Sequence, residues 1–151
     1  SQFCDGPENA PYTAALLSRR KYVDADSHAI LSSLPGGAIA QDNRSRFWRH
    51  AATFPWRSHA SWFLHEMTRW GLIDGHVDHA SLAERVYRPD IYRRAAAPLG
   101  ISVPNVDSKI EGAHDAAWSL QAAPSPIAMS PDSFCDGAVF TSTSATALHN
   151  N

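Results

Sequence analysis

The chain has 151 residues, 44% of them hydrophobic and 19% charged, which suits one compact domain and excludes a largely disordered protein. The formal net charge of −2 excludes a general attraction to nucleic acid or acidic membranes. No apolar run approaches the ~20 residues that span a bilayer. The chain opens without Met and without the charged-then-apolar order of a secretory signal, so we interpret it as a processed product or a fragment.

Five helices are predicted before residue 101, from residues that favour helix ends. Aspartate or serine can cap a first turn, proline fits within a first turn, and glycine suits the left-handed position after the last turn. Residues 1–5 are expected to be the end of a further, preceding helix. The predicted helices are Glu8 to Arg20, Asp24 or Asp26 to Leu34, Ser58 to Trp70, His79 to Tyr87 and Pro89 to Ala97, with Ser58 and Asp78 as N-caps of the third and fourth.

The tryptophans divide into predicted core and predicted interface residues. Trp62 and Trp70 lie with Phe63 and Met67 on one stripe of the third predicted helix, and we interpret both tryptophans as core. Tryptophan is also common at interfaces, because it buries a large area and keeps a polar group. The predicted contacts with a partner or another lobe are Trp48 and Trp56, in a predicted loop over residues 36–57, and Trp118.

The pattern changes after Gly100. Residues 101–140 contain prolines at positions 104, 124, 126 and 131 and no sustained hydrophobic period, so we predict an extended, irregular arm over a helical body. Residues 141–151 are rich in Ser and Thr and are predicted to be a flexible tail. The predicted fold class is mainly α, with about five helices and a long irregular C-terminal arm, in one domain from residue 1 to 140.

Motifs for catalysis and metal binding are incomplete. His65 to Arg69 begins like HExxH, but an arginine stands where the second histidine is needed. His76 to His79 could hold a divalent metal, yet a polar loop with Asp78 as a helix cap explains the same residues. Cys4 and Cys135 could form a disulfide or stay free thiols. We predict no enzyme activity, no metal and no cofactor.

Arg57, Ser58 and His59 are candidate ligands of an anion. They lie at the predicted start of the third helix, where backbone N–H groups lack partners and the helix dipole adds positive charge. Arg57 and His59 add further positive charge, so a small oxyanion or a carboxylate side chain could bind there. In the alternative interpretation, Ser58 caps the helix and Arg57 pairs with an acidic residue of the arm.

Several short strings follow one another in a fixed order along residues 1–140. They are CDGPEN at 4–9, ATFPWRSHA at 52–60, MTRWG at 67–71, VYRPDIY at 86–92, LGISVP at 99–104, KIEGAH at 109–114, PIAMSPD at 126–132 and FCDG at 134–137. In this order they resemble the C-terminal part of the nitrate- and bicarbonate-type solute-binding proteins of ABC importers. Cytoplasmic nitrate sensors built on the same fold share the resemblance.

The resemblance implies an α/β, periplasmic-binding-protein-like type II fold that holds nitrate, nitrite or bicarbonate between two lobes. The family grips its anion mostly through residues upstream of this chain, so no ligand is carried over. One implied role is the importer component that hands the anion to a membrane permease, in the periplasm or elsewhere outside the cytoplasmic membrane. The other is a cytoplasmic sensor that controls an RNA-binding antiterminator. A third hypothesis, from another class, is a standalone helical module whose exposed aromatic residues bind a partner or a second copy, without direct contact to nucleic acid.

Overall fold

The computed structural model of the protein describes residues 1–38 and 45–142. The chain divides into two compact units, Ser1–Thr53 (unit 1) and Phe54–Asn151 (unit 2). Most of the predicted flexible tail, from residue 143 onward, lies outside the described residues. Cys4 and Cys135 are both free thiols.

Unit 1 contains two short α-helices, α1 (Ala10–Leu17) and α2 (Ser27–Ser33). Helix α1 is shorter than predicted, because 3₁₀ turns occupy Gln2–Asp5 and Pro7–Asn9 before it. Asp26 caps α2, since its carboxylate accepts backbone N–H bonds at 2.9 and 3.1 Å. The small apolar core between the helices consists of Ala10, Ala14 and Leu34, with Ile30, Leu31 and Phe47 packed against it.

A buried carboxylate connects the two ends of unit 1. Asp5 accepts the consecutive backbone N–H groups of residues 47, 48 and 49, at 2.8, 2.9 and 2.7 Å. Burial raises the pKa of Asp5, but the three backbone hydrogen bonds outweigh it, and the pKa lies below its usual 3.8. Three donors on one carboxylate therefore fix the middle of the predicted 36–57 loop to the start of the chain.

Unit 2 begins with three helices, α3 (Arg57–Arg69), α4 (His79–Val86) and α5 (Pro89–Ala96). Asp78 caps α4 by accepting the N–H of Ser81 at 3.0 Å, as predicted. Pro89 is the first residue of α5. Gly71 follows the C-cap residue of α3 and has a left-handed φ of +70°. The N–H groups of Gly71 and Leu72 donate to the carbonyls of Thr68 and Met67, which is the Schellman arrangement.

The core of unit 2 is aromatic and centred on Phe54. This ring meets Trp56 edge-on at 4.8 Å and Tyr92 at 5.4 Å between centroids. The guanidinium of Arg93 covers Phe54 at 5.2 Å and donates to the carbonyls of Pro104 and Val106 and to Asp107, at 2.9, 2.9 and 2.6 Å. Arg93 thereby joins α5 to the arm.

The arm contains short paired strands that the sequence did not predict. Strand β1 (Val103–Pro104) pairs antiparallel with β3 (Ala122–Ala123), and β2 (Trp118–Leu120) pairs antiparallel with β4 (Ile127–Met129). Glu111 forms a separate antiparallel bridge with Phe140. The pairing escaped prediction because strands of two or three residues are too short to show an alternating pattern. The arm packs on its own unit, where Phe134 stacks on Trp62 at 5.8 Å.

The predicted mainly α fold class is confirmed, with five α-helices and a long arm among the described residues. No helix in this described part of the chain is long and apolar enough to cross a membrane. The assignment of Trp70 to the core is wrong, because its side chain is 64% exposed. Phe63, on the same stripe, is 53% exposed, so much of the stripe is uncovered in unit 2.

Candidate functional site

The start of α3 places the predicted anion ligands next to carboxylates of the arm and of α4. The backbone N–H of Arg57 donates to the carbonyl of Asp107 at 2.9 Å. The Arg57 guanidinium lies 3.2 Å from the Asp107 carboxylate and 3.3 Å from that of Glu84. The pairing of Arg57 with an acidic residue of the arm, one of the two interpretations from the sequence, is what the structure shows.

Ser58 is not the helix cap, and that prediction is wrong. Trp56 occupies the N-cap position of α3 without a side-chain hydrogen bond, and Ser58 is the second residue of the helix. The Ser58 hydroxyl is fully buried and donates to Glu111 at 2.6 Å, while it accepts the backbone N–H of Lys109 at 3.2 Å. A long-range partner therefore takes the hydroxyl that would otherwise cap the helix.

Glu111 is the centre of a group of polar side chains that we call the carboxylate network: Ser58, His59, Lys109, Glu111 and Asp132, of which His59 is the most exposed, at 42% of its side chain. His59 Nε2 lies 3.4 Å from Glu111 Oε2. Lys109 Nζ contacts Glu111 and also lies 3.1 Å from Asp132. Only 8% of the Glu111 side chain and 9% of the Lys109 side chain are exposed, so these charges interact with little water between them.

The network holds the Glu111 carboxylate ionised. Burial raises the pKa of Glu111, but the hydrogen bonds from His59, Lys109 and Ser58 lower it by a larger amount. The resulting pKa is about 2, compared with the usual 4.5. The net decrease means that the surrounding donors stabilise the anion by more than its removal from water costs.

A second carboxylate extends the network along the arm. Asp132 accepts the backbone N–H of His114 at 2.9 Å, and the His114 ring nitrogen Nδ1 lies 3.1 Å from the same oxygen. The His114 ring stacks on Trp118, 3.9 Å between centroids and 6° from parallel. Asp132 is thus held in place by contacts that do not involve Glu111.

An open depression of about 560 Å³ lies beside the carboxylate network. Its lining is charged and consists of Arg57, Glu84, Arg85, Arg88 and Asp90. Arg88 donates two bonds of 2.8 Å to Asp90, which lower the pKa of Asp90 to about 2. Of the three predicted anion ligands, Arg57 is the one that lines this depression, and the His59 side chain is also 42% exposed.

The predicted interface tryptophans have different environments. Trp56 is only 1% exposed, so its prediction as a partner contact is wrong: Pro55 ends the preceding loop and the ring turns into the Phe54 cluster. Trp48 and Trp118 are half-buried, and Trp118 Nε1 is buried without a hydrogen-bond partner among the described residues. Their interface role stays a prediction.

The metal candidates are explained by local contacts. Asp78 caps α4, and the ring of His79 shares a 2.9 Å hydrogen bond with Thr68. The described residues contain no group of three or more metal-ligating side chains. Sequence reasoning assigned no role to Lys109, Glu111, Asp132 and Arg93, although the first three lie in the strings KIEGAH and PIAMSPD. Lys109 and Glu111, two apart in an extended segment, also face the same side.

Comparison with known proteins relates the chain to the solute-binding proteins for nitrate and bicarbonate, which confirms the resemblance predicted from the sequence. The nitrate/nitrite binding protein NrtA of Synechococcus elongatus is 33% identical over 117 residues, 71% of this chain and 26% of that protein. The bicarbonate-binding protein CmpA of the same species is 27% identical over 121 residues, 70% of this chain and 27% of that protein. No protein-family model matches the chain.

The fold is also similar to that of a solved structure. The crystal structure of the periplasmic nitrate-binding protein NrtA from Synechocystis PCC 6803 superposes with a TM-score of 0.68 and 23% identity, covering 97% of this chain and 36% of that chain. The predicted periplasmic-binding-protein-like fold is therefore confirmed. This chain spans about a quarter of the length of the curated relatives NrtA and CmpA. All three of these similar proteins are named as binding proteins.

Proposed function

We propose that the chain is part of an anion-binding protein that serves an ABC-type importer of nitrate, nitrite or bicarbonate. The resemblance implies that it is the C-terminal part of that protein. The observation that supports this most is the sequence similarity to nitrate/nitrite binding protein NrtA over 71% of the chain. The protein of the similar crystal structure is periplasmic, which favours a location of this chain outside the cytoplasm, next to a membrane permease. A cytoplasmic sensor that acts on an RNA-binding antiterminator is the alternative that the same similarity leaves open.

Arg57 is the predicted ligand best placed to meet a free anion, because its guanidinium lines the open depression together with Arg85 and Arg88. Ser58 and His59 also stay proposed ligands, but both contact Glu111. Ser58 is fully buried, so an anion would have to displace that carboxylate to reach it, whereas the His59 side chain is 42% exposed.

Calorimetric titration of the chain with sodium nitrate, nitrite and bicarbonate tests the proposal, with sodium chloride at equal ionic strength as control. We expect saturable heat from at least one of the three anions and none from chloride. Arg57→Ala should weaken that binding about 10-fold, the effect of losing one charged hydrogen bond, whereas Arg20→Ala, on an exposed arginine of unit 1, should leave it unchanged. Absence of heat and of any thermal shift with all three anions would refute anion binding by this chain. Fractionation of cells that make the protein separates importer from sensor: recovery in the cytoplasm alone would refute the importer role.

A second candidate function, a partner-binding module, is favoured by the uncovered stripe on α3. Phe63, Trp70 and Leu72 are 53%, 64% and 64% exposed, and the ion pair of Glu66 and Arg69 flanks them. A second copy of the chain can cover this apolar stripe with its own, so a symmetric pair of α3 helices is the proposed assembly.

Sedimentation equilibrium tests the dimer. We expect association that depends on concentration and that Trp70→Glu abolishes. Tyr12→Glu is the matched control, because Tyr12 is 65% exposed in unit 1; this variant should associate like the wild type. A wild-type chain that stays monomeric at high concentration would refute the self-association.

A further inference from the structure

The carboxylate network has the donors of an anion site and already contains an anion. A hydroxyl, an imidazole and an ammonium group, from Ser58, His59 and Lys109, converge on the two oxygens of one carboxylate. That carboxylate belongs to Glu111, which is 6% exposed. Convergence of different donor types on one buried, planar anion is the arrangement by which proteins bind small carboxylates and related oxyanions.

Two of the three donors, Ser58 and Lys109, are positioned by contacts that do not depend on the Glu111 side chain. The Ser58 hydroxyl accepts the N–H of Lys109 at 3.2 Å, and Lys109 Nζ lies 3.1 Å from Asp132. Asp132 in turn is held by His114, through a backbone bond of 2.9 Å and a ring contact of 3.1 Å. Removal of the Glu111 carboxylate therefore leaves the donors facing the space that it occupied.

The backbone at Glu111 is fixed separately as well. Its N–H and carbonyl exchange two hydrogen bonds with Phe140, at 3.0 and 2.9 Å. Shortening the Glu111 side chain thus opens a space without releasing the strand that carries it. Replacement by alanine removes one methylene carbon and the carboxylate, which together have the heavy atoms of acetate.

We propose that Ser58, His59 and Lys109 form an oxyanion-binding cradle whose resident ligand is the chain's own Glu111, and that the cradle accepts a free monocarboxylate once that side chain is removed. In the wild-type chain Glu111 is covalently attached, so a free anion competes against a ligand of very high effective concentration. In the wild type a free anion therefore occupies the whole cradle only by displacing Glu111, which fastens the arm to α3 through Ser58 and His59. This inference rests on the contacts in unit 2 and not on the proposed transport function.

Chemical rescue of Glu111→Ala by acetate tests the cradle. Thermal unfolding is followed by circular dichroism at pH 7, while sodium chloride is replaced stepwise by sodium acetate at constant ionic strength. We expect about 100 mM acetate to raise the unfolding midpoint of Glu111→Ala by about 4 °C or more, as for a ligand with a Kd near 10 mM. Wild type and Glu111→Gln, in which a side chain of equal length fills the cradle, should not respond beyond chloride.

The double variant Glu111→Ala/Ser58→Ala locates the acetate. Ser58 Oγ is a donor to the resident carboxylate, so its loss should abolish the rescue. An acetate response equal in Glu111→Ala and Glu111→Gln would overturn the proposal, and so would rescue that persists without Ser58.

A variant that fails to fold in chloride still decides the question. Glu111→Ala would then be refolded from urea in acetate and in chloride, and we expect native circular dichroism only in acetate. Failure to refold in both salts would refute the cradle. The anion titration of the wild type is a separate measurement, so failure of this proposal is distinguishable from failure of the proposed function.

Discussion

Protonation of Glu111 should remove a measurable part of the stability of unit 2, and Glu111→Gln isolates this contribution. The pKa of Glu111 is 4.5 ordinarily and about 2 in the folded chain, a difference that corresponds to ~3 kcal/mol. Because the folded pKa is the lower one, the stabilisation is complete above pH 5 and is lost as the pH falls toward 2. Integration of the linkage relation gives a loss of ~2 kcal/mol between pH 7 and pH 3.

Urea unfolding monitored by tryptophan fluorescence, at pH 7, 5, 4 and 3, measures this loss. Other carboxylates also titrate in this range, so the informative quantity is the difference in unfolding free energy between wild type and Glu111→Gln. We expect that difference to be ~3 kcal/mol at pH 7, as for a broken buried ion pair, and ~1 kcal/mol at pH 3. A difference that stays constant with pH would show that Glu111 does not titrate differently in the folded and unfolded chains, and would refute the reasoning about the network.

Three further predictions concern the stability of each unit in the same urea assay. Trp56→Ala should cost ~4 kcal/mol because the ring is 1% exposed, whereas Trp70→Ala should change stability by less than ~0.5 kcal/mol; equal losses would contradict the burial. Asp5→Ala should cost unit 1 ~3 kcal/mol, since three part-buried backbone donors lose their charged acceptor, and the exposed cap Asp26→Ala should cost ~1 kcal/mol; an Asp5 effect no larger than that of Asp26 would refute it. Arg93→Lys should cost ~2 kcal/mol, because an ammonium cannot reach the carbonyls of Pro104 and Val106 and Asp107 together; an unchanged midpoint would show that the fork of Arg93 contributes little.

Helix ends were predictable where their chemistry is local. Asp78 caps α4, Pro89 begins α5 and Gly71 terminates α3. Each of these effects involves residues within one helical turn. Ser58 has the same local signal as Asp78. It fails as a cap because its hydroxyl bonds to Glu111, 53 positions away, and no local pattern carries that information.

The tryptophans show a related limit of sequence reasoning. Helical spacing places Trp62, Phe63 and Trp70 near one another on α3, but it does not tell which neighbouring element covers them. In the fold Trp62 stacks on Phe134, while Trp70 is left exposed. Trp56 was assigned to a loop and hence to an interface, yet a loop residue next to proline can turn inward, and here it forms the core with Phe54.

Charge complementarity explains how an irregular arm keeps one position on the helices. The buried apolar residues of the arm are few: Leu120, Ala122 and Met129, with Pro104. By contrast, Asp107 meets Arg57 and Arg93, and Glu111 meets Ser58 and His59. Apolar contacts tolerate a shift along the surface, whereas a buried carboxylate displaced from its donors loses several kcal/mol. The ionic contacts therefore fix the register of the arm, and the positive start of α3 that the sequence predicts as an anion site serves first to bind the arm's own carboxylates.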